Sequence, residues 1–248
     1  MDWALELAEN ANTYTPLGPN EERVVADKYV LWLGRGDEPH WNVAQRFRLR
    51  GDEVERVRDQ VHAHLRARGR TACTWEVGSH ATPPDLVDRL LALGLELDEL
   101  AVGMVLTEPP PRVAEDGVVV RRAETPDELL AAARIAAAAF GGPEPDEAPA
   151  PPGPGGAVYL AYLDGEPVAR ASASFSEHGT TLFGGATLPH ARGRGAYRAL
   201  VAARWEEAVA RGAPVVVTQA APMSRPILAK LGFREVCEIR ILLDAFDR

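Results

Sequence analysis

The chain has 248 residues, a length that suits two domains better than one. Apolar residues make up 46% and charged residues 25%, a composition that excludes a disordered chain. The net charge of −9 argues against nucleic acid as a partner, because such a surface repels a phosphate backbone.

The beginning of the chain, Met1–Glu6, carries acids where a signal peptide carries bases. No apolar run approaches the roughly 20 residues that cross a bilayer. Cys73 and Cys237 belong to no ligand cluster, so we expect neither a metal site nor a disulfide framework. These features predict a cytoplasmic protein that binds no membrane. Its oligomeric state stays open, with a homodimer as one possibility.

The first half alternates between predicted strands and helices. Strands are expected over 29–33 and 43–49, a helix from Asp52 with Val54, Val57, Val61 and Leu65 on one face, a strand over 71–77, a helix capped by Thr82-Pro83-Pro84-Asp85, and a strand over 99–106. Trp32, Trp41 and Trp75 are expected in the core or at a domain interface. An unrelated α/β domain is one interpretation of this half.

Three consecutive prolines, Pro109 to Pro111, mark the predicted linker, because they continue neither a strand nor a helix. We place the linker at 109–116. It divides the chain into a first half, 1–108, and a second half, 117–248.

The second half has the predicted order β-α-β-β-β-α-β-α-β. Thr125, Pro126 and Glu128 form a capping box that opens the first helix, which should run to Phe140. The Pro- and Gly-rich segment 141–156 is expected to be a loop. The remaining elements are strands over 118–121, 158–163, 168–175, 180–187, 215–217 and 236–243, and helices over 195–211 and from Ser224 to Gly232.

The most informative segment is Thr187–Arg198, where a strand, a turn rich in glycine and arginine, and a long helix follow one another. Backbone N–H groups at a helix start lack internal partners, and the helix dipole adds positive potential there. Glycines allow an anion to approach the backbone closely. The segment is therefore typical of a phosphate or pyrophosphate site, although an ordinary surface turn has the same composition.

This segment resembles the coenzyme loop of the GNAT acetyltransferase superfamily, which has the form Arg/Gln-x-x-Gly-x-Gly/Ala. Pro189, Arg192 and Gly195 stand at the family's positions, whereas Tyr197 replaces the last Gly or Ala. The element order and Leu231-Gly232-Phe233 also match the family. The resemblance covers about 130 residues and implies a mixed α/β GNAT fold that binds acetyl-CoA as co-substrate, without a metal.

The resemblance also implies which residues hold the coenzyme. The end of the strand before the loop would bind the pantetheine arm through its backbone, and the loop would bind the pyrophosphate. The candidates are Ala186, Thr187, Leu188, Arg192, Gly193, Arg194, Gly195, Ala196, Tyr197 and Arg198.

The catalytic groups are harder to assign. Family members often carry a Tyr on the last helix and an Asn near its start, but Leu228 and Ala221 stand there. Ser224 is the nearest remaining hydroxyl and the candidate acid for the thiolate, or it is only a helix cap. Thr218 and Gln219 end the strand beside the site and are candidates to orient the acceptor, or they are ordinary polar residues at a strand end.

Two further segments of the second half carry acids. The loop 142–147 could attract a cationic amine with its acids, or it is simply solvated. Glu177 and His178 occupy a hairpin turn and are expected to be solvated residues without a role in the site.

The first half repeats the later element order and the Leu-Gly-apolar ending, and so resembles a shortened, degenerate GNAT module. Its counterpart of the coenzyme loop is 48–53, where one glycine is followed by Asp52 and Glu53. Acids suit a helix N-terminus but repel phosphate, so we expect no coenzyme there.

Two functions are compatible with this reading. One is an N-acetyltransferase that transfers an acetyl group directly to the amine of a small molecule. The other is a GNAT-fold module that binds or senses acyl-CoA without turnover, which the absent Tyr and Asn favour. The sequence does not identify the acceptor amine.

Overall fold

The computed structural model describes residues 2–111, 117–213 and 215–246, so positions 112–116 of the predicted linker lie outside the described residues. The described residues form six α-helices and eleven strands. In chain order these are α1 Trp3–Glu9, β1 Glu22–Val25, β2 Val30–Leu33, β3 Asn42–Gln45, α2 Val54–Arg66, β4 Ala72–Gly78, α3 Leu86–Ala92, β5 Glu96–Leu106, β6 Val118–Arg122, α4 Pro126–Phe140, β7 Gly156–Leu163, β8 Glu166–Ser176, β9 Gly179–Thr187, α5 Ala196–Ala210, β10 Val216–Ala220, α6 Arg225–Lys230 and β11 Arg234–Ala245.

All eleven strands belong to one mixed sheet, which confirms the predicted α/β class. The strand order is β1-β2-β3-β4-β11-β5-β10-β9-β8-β7-β6. Two neighbouring pairs, β3–β4 and β9–β10, are parallel, and the other pairs are antiparallel. Each parallel pair is connected through a helix, α2 in the first half and α5 in the second.

The two halves exchange their last strands. β5, the last strand of the first half, pairs with β10 of the second half. β11, the last strand of the second half, pairs with β4 of the first half. β5 and β11 also pair with each other at the centre of the sheet. Each half therefore completes its part of the sheet with a strand from the other half.

Helices cover both faces of the second half. α4 packs on one face, where Leu129, Ala132 and Ile135 meet Leu160 and Ala186. α5 packs on the opposite face, where its Leu200 and Trp205 join the core formed by β7 and β8. In the first half, α2 and α3 pack over Trp75, which is fully buried and stacks on Phe47 with ring centroids 4.9 Å apart.

The helix α1 lies over the centre of the sheet and contacts β5, β9, β10 and β11. Gly103 of β5 permits this contact, because an added Cβ there would lie 3.2 Å from the Cβ of Ala8 and 2.4 Å from the Sγ of Cys237. Leu7 and Ala8 pack there on Val217 of β10. The N-terminal helix thus belongs to the core that joins the two halves.

The element predictions for the second half are largely confirmed. α4 spans the predicted residues, and Thr125 and Glu128 form the predicted capping box. Asp164 and Gly165, at the predicted hairpin turn, both have positive φ. In the first half, the helix predicted to be capped by Thr82-Pro83-Pro84-Asp85 begins at Leu86, directly after Asp85. The predicted strand 43–49 ends at Gln45, since Arg46 adopts a φ of 60°.

Candidate functional site

The predicted coenzyme loop leaves the N-terminus of α5 open. β9 ends at Thr187, and a short turn leads to Gly193 and Gly195, whose φ angles of 78° and 90° lie in the left-handed region that favours glycine. Within the described part of the chain, no side chain caps α5. The first N–H groups of the helix therefore point to a position that only a ligand or solvent can fill.

Three arginines surround this helix start. The Nε of Arg192 donates to Thr187 O at 3.3 Å, and Nη2 of Arg194 lies 3.3 Å from Oδ2 of Asp164 in an exposed ion pair. Arg198 is half-buried on the first turn of α5. The three charges and the helix dipole make this position favourable for an anion.

Tyr197, which departs from the family pattern, turns away from the loop. Its ring packs toward the sheet, where an added Cβ at Gly185 would lie only 2.6 Å from Tyr197 Cε2. The ring joins the edge of the core beneath α5. The glycine in β9 therefore accommodates the bulky residue, and the backbone N–H of Tyr197 remains at the helix start.

β9 and β10 separate beside this loop. Their parallel pairing covers only two residue pairs, Thr180 with Val216 and Thr181 with Val217. Further along β9, the N–H of Leu188 donates to Val168 O of β8 at 2.9 Å. Since alternate residues of a strand point their backbone groups to opposite neighbours, the backbone of Thr187 faces the gap between β9 and β10. The gap thus has an open backbone edge.

Two buried side-chain polar atoms of the described residues lack a hydrogen-bond partner. They are Oγ1 of Thr187, at the end of β9, and Nε of Arg170, on the adjacent β8. Buried polar atoms are normally satisfied, and an unsatisfied one indicates a missing partner. The sequence did not single out Arg170, although a lone arginine inside the apolar strand 168–175 was a signal for it.

The far side of the gap is formed by the polar end of β10. The hydroxyl of Thr218 donates to Leu182 O of β9 at 3.0 Å and so bridges the two strands where they separate. The amide of Gln219 donates to Glu76 Oε2 at 3.2 Å and to Glu9 O at 3.4 Å. Both candidate acceptor-orienting residues therefore lie at the gap, and both are already hydrogen-bonded.

Glu76 is a buried carboxylic acid that sequence reasoning missed. It lies on β4 of the first half and is hydrogen-bonded to Gln219 of the second half. Burial raises its pKa to about 7, an effect that the hydrogen bond from Gln219 partly offsets. A lone acid within the apolar strand 71–77 was the signal in the sequence.

Ser224 precedes α6 but does not cap it through its side chain. Its hydroxyl donates to Ala221 O at 3.1 Å, and α6 has no side-chain cap. The predicted capping role is therefore wrong, because the backbone at Ser224 is already helical and directs the hydroxyl back along the chain. Leu228 is buried in the core and has no polar function.

α4 and the loop 141–156 lie next to each other on the face of the sheet opposite α5. A groove of about 310 Å³ runs between them and is lined by Arg134, Ile135, Ala137, Ala138, Gly142, Glu144 and Leu188. Glu144 pairs with Nε of Arg134 at 3.1 Å, so this loop acid already has a cationic partner. The first half borders the same loop, since an added Cβ at Gly155 would lie 2.2 Å from Cγ of Pro16.

His178 is packed against the N-terminal helix, which corrects the prediction of a solvated turn residue. Its ring stacks on Trp3 with centroids 3.5 Å apart and contacts the edge of Tyr14. Glu177 beside it is exposed. The aromatic residues of α1 and the following segment explain this packing, and neither α1 nor β1 was predicted.

The corresponding loop of the first half contains its own anion. The carboxylate of Glu53 accepts a hydrogen bond of 2.8 Å from Arg50 N, just ahead of the turn 51–53 that leads into α2. Nη2 of Arg56 lies 3.0 Å from it, and Nζ of Lys28 lies 4.0 Å from it. The hydrogen bond from the Arg50 backbone lowers the pKa of Glu53, so the carboxylate is held in its charged form.

No protein-family model matches the sequence, and a search of curated proteins gives no match. Solved structures do match. A GCN5-related N-acetyltransferase from Kribbella flavida is 21% identical with a TM-score of 0.69, and the match covers 98% of this chain and 93% of that one. A tandem GNAT protein from the clavulanic acid biosynthesis pathway is 15% identical with a TM-score of 0.60 over 98% and 93%. A GCN5-related N-acetyltransferase from Sphaerobacter thermophilus is 14% identical with a TM-score of 0.61 over 90% and 82%.

These matches extend over nearly the whole chain, so the likeness includes the first half as well as the second. Among the described residues, no helix is long and apolar enough to cross a membrane. No group of three or more His, Cys, Asp or Glu side chains in the described residues is arranged to hold a metal ion.

Proposed function

Since the chain has the GNAT fold, we propose that it is an acyl-CoA-dependent N-acyltransferase that moves an acetyl group from acetyl-CoA to the amine of a small molecule. The observation that carries this proposal is the uncapped N-terminus of α5, flanked by left-handed glycines and arginines and placed beside the gap between β9 and β10. Helix start and gap together provide an anion site and an open strand edge at one place.

In this proposal different residues of the loop and of β9 bind different parts of the coenzyme. Backbone N–H groups from Gly193 to Arg198 bind the pyrophosphate, and Arg192, Arg194 and Arg198 supply positive charge. The backbone of Ala186, Thr187 and Leu188 lines the pantetheine arm, and the buried hydroxyl of Thr187 gains the partner that it lacks. This places the thioester in the gap, near Thr218.

The reaction joins the amine nitrogen to the thioester carbonyl carbon and breaks the bond from that carbon to sulfur. The amine loses a proton and the thiolate gains one. Ser224 is the candidate proton donor to the thiolate, and Thr218 and Gln219 are the candidates to orient the acceptor. Solvent provides the alternative proton path, since Leu228 cannot donate.

We further propose that the first half, 1–108, is a degenerate GNAT-like module without coenzyme, joined by the linker 109–116 to the coenzyme-binding half, 117–248. The support is structural. Both halves carry a strand, a helix and a second strand parallel to the first, and both end in an exchanged strand. In the first half, Glu53 occupies the helix start.

A second candidate function is binding or sensing of acyl-CoA without turnover. Two observations favour it: Leu228 is buried and apolar where a proton donor is expected, and the Ser224 hydroxyl is bonded to Ala221 O. The discriminating experiment measures thiol release from acetyl-CoA against a panel of small amines. Release that depends on an amine supports the transferase. Coenzyme binding without release from any amine supports the binding module.

Ser224→Ala tests the proton donor once an accepted amine is known. If the hydroxyl protonates the thiolate, we expect kcat to fall about 100-fold, by analogy with a lost oxyanion donor. Since the side chain caps no helix, stability should change little. The control is Ser174→Ala on β8. Full activity in folded Ser224→Ala would assign the proton to solvent.

A further inference from the structure

A further positive charge, that of Arg170, lies on the α4 face of the sheet. Arg170 stands in the middle of β8, opposite Leu160 of β7 and Ala186 of β9. Directly opposed residues of antiparallel strands project to the same face, and Leu160 and Ala186 belong to the core beneath α4. The guanidinium of Arg170 therefore lies on the face of the sheet that α4 covers.

The charge of Arg170 has no anionic partner among the described residues. Its Nη1 donates to Gly184 O at 2.8 Å, and its buried Nε has no hydrogen-bond partner. Removing a guanidinium from water is costly unless a charge of opposite sign and further hydrogen bonds compensate for it. The uncompensated charge and the unsatisfied Nε make this position favourable for an anion.

The strand next to Arg170 is shaped to receive the guanidinium. β9 forms a bulge there, in which Gly184 and Gly185 stand opposite Ala171 alone. Gly184 has a φ of 52°, and an added Cβ would lie 2.3 Å from Nη1 of Arg170. Arg170 can adopt its observed position only because residue 184 is a glycine. The bulge in β9 and the guanidinium therefore fit each other.

The first half contributes a second guanidinium to the same region. Burial, together with the nearby charge of Arg35, lowers the pKa of Arg170 to about 10. Arg35 belongs to the exposed loop after β2 and lies over the ring of Trp41, 5.3 Å from its centroid. The charge of Arg35 therefore adds to the attraction that Arg170 exerts on an anion.

We infer that Arg170 binds the carboxylate of the acceptor and that the charge of Arg35 in the first half adds to the attraction, so that the acceptor is a small amino acid. This inference rests on the proposed acyl transfer for the identity of the ligand as an acceptor. A guanidinium matches a carboxylate through two parallel hydrogen bonds. The coenzyme phosphates are assigned elsewhere, because their loop opens α5, which packs on the opposite face of the sheet.

The test uses the full chain in the presence of coenzyme A and measures equilibrium binding by titration calorimetry, so that it does not depend on turnover. The probes are the common α-amino acids, β-alanine and γ-aminobutyrate, each paired with the amine that lacks the carboxyl group. We expect at least one amino acid to bind about 10- to 100-fold more tightly than its paired amine, the range that a charge-assisted hydrogen bond provides.

Arg170→Gln should abolish this preference and leave the affinity for coenzyme A unchanged. Arg35→Gln, on an exposed loop that the fold does not require, should reduce the preference by a smaller factor and keeps the test valid if Arg170→Gln does not fold. The matched control is Arg121→Gln, which removes one exposed charge from β6. Equal binding of both members of every pair would overturn the inference, and so would variants of Arg170 or Arg35 that weaken coenzyme A instead.

The failure of this inference and of the proposed function are distinguishable. Amino acid binding without acyl transfer would support the carboxylate site and contradict the proposed transferase activity. Acyl transfer to amines that does not depend on a carboxylate would support the transferase activity and contradict the carboxylate site.

Discussion

The N-termini of α2 and α5 occupy equivalent positions in the two halves, but the groups that surround their positive helix dipoles differ. The turn 51–53 that leads into α2 carries the buried carboxylate of Glu53, which is surrounded by Arg50, Arg56 and Lys28. Within the described residues neither α2 nor α5 has a side-chain cap, but α5 is preceded by left-handed Gly193 and Gly195 and by no carboxylate of this kind. One helix start therefore carries its own anion, and the other leaves room for an external one.

This difference shows how one architecture can keep or lose an anion site through a few local residues. The parallel pairs β3–β4 and β9–β10 each extend over two residue pairs, so the gap beside the helix is common to both halves. What differs is the chemistry of the turn. An internal carboxylate beside the helix start repels phosphate, whereas glycines and arginines accommodate it.

Separating the halves should have the largest effect. Because β5 completes the second half and β11 completes the first, fragments 1–108 and 117–248 each lack a central strand. We expect neither fragment alone to show cooperative urea unfolding, and we expect the two coexpressed fragments to form a complex that does.

Cooperative unfolding and coenzyme binding by the isolated fragment 117–248 would contradict this expectation. Such a result would show that the two halves fold as independent modules and do not depend on the exchange of β5 and β11.

The bond between Glu76 and Gln219, from equivalent strands of the two halves, should make stability depend on pH. The folded-state pKa of Glu76 is about 7, above the ordinary value of 4.5, so the folded state binds the proton more tightly than the unfolded state. The stability that the protonated Glu76 contributes is complete below pH 4.5 and is lost as the pH rises through 7. Above pH 7 the free energy of unfolding of Glu76→Gln should therefore exceed that of the wild type by about 3 kcal/mol. Near pH 4.5 the two free energies of unfolding should be equal.

Urea unfolding at pH 5 and pH 8 measures this difference, with Glu177→Gln as the control for loss of an exposed acid. A constant difference between Glu76→Gln and the wild type across the two pH values would show that Glu76 does not titrate in this range.

The smallest effect is expected from Glu53→Ala. The variant removes the internal anion of α2 but not the other differences from α5, since the loop 48–53 has a single glycine. We expect a modest decrease in the urea midpoint with an unchanged slope, and no additional coenzyme binding. A second coenzyme site in this variant would show that Glu53 alone blocks the first half.

Local signals in the sequence predicted most elements of the second half. The capping box at Thr125 and the glycine turn at Asp164 are determined by neighbouring residues, and both were confirmed. The fold class followed from the order of these elements. The coenzyme loop was located by its composition, and its assignment to acetyl-CoA remains a proposal.

The features that were missed depend on contacts distant in sequence. β5 and β11 show ordinary strand patterns, and nothing local specifies that each pairs with the other half. α1 has only seven residues, and its packing depends on Gly103 of β5. Arg170 and Glu76 were visible as single charges in apolar strands, but only the fold shows what each of them faces.

The central claim, that only the second half binds coenzyme, is tested most directly by calorimetric titration of the full chain with acetyl-CoA. The account predicts one site per chain. In Gly195→Asp the affinity for acetyl-CoA should fall on the order of 100-fold, because the new carboxylate occupies the position of the pyrophosphate at the start of α5 and repels it. Gly212→Asp, at a position of positive φ past the other end of the same helix, should bind like the wild type. Two sites per chain, or unchanged affinity in folded Gly195→Asp, would contradict the account.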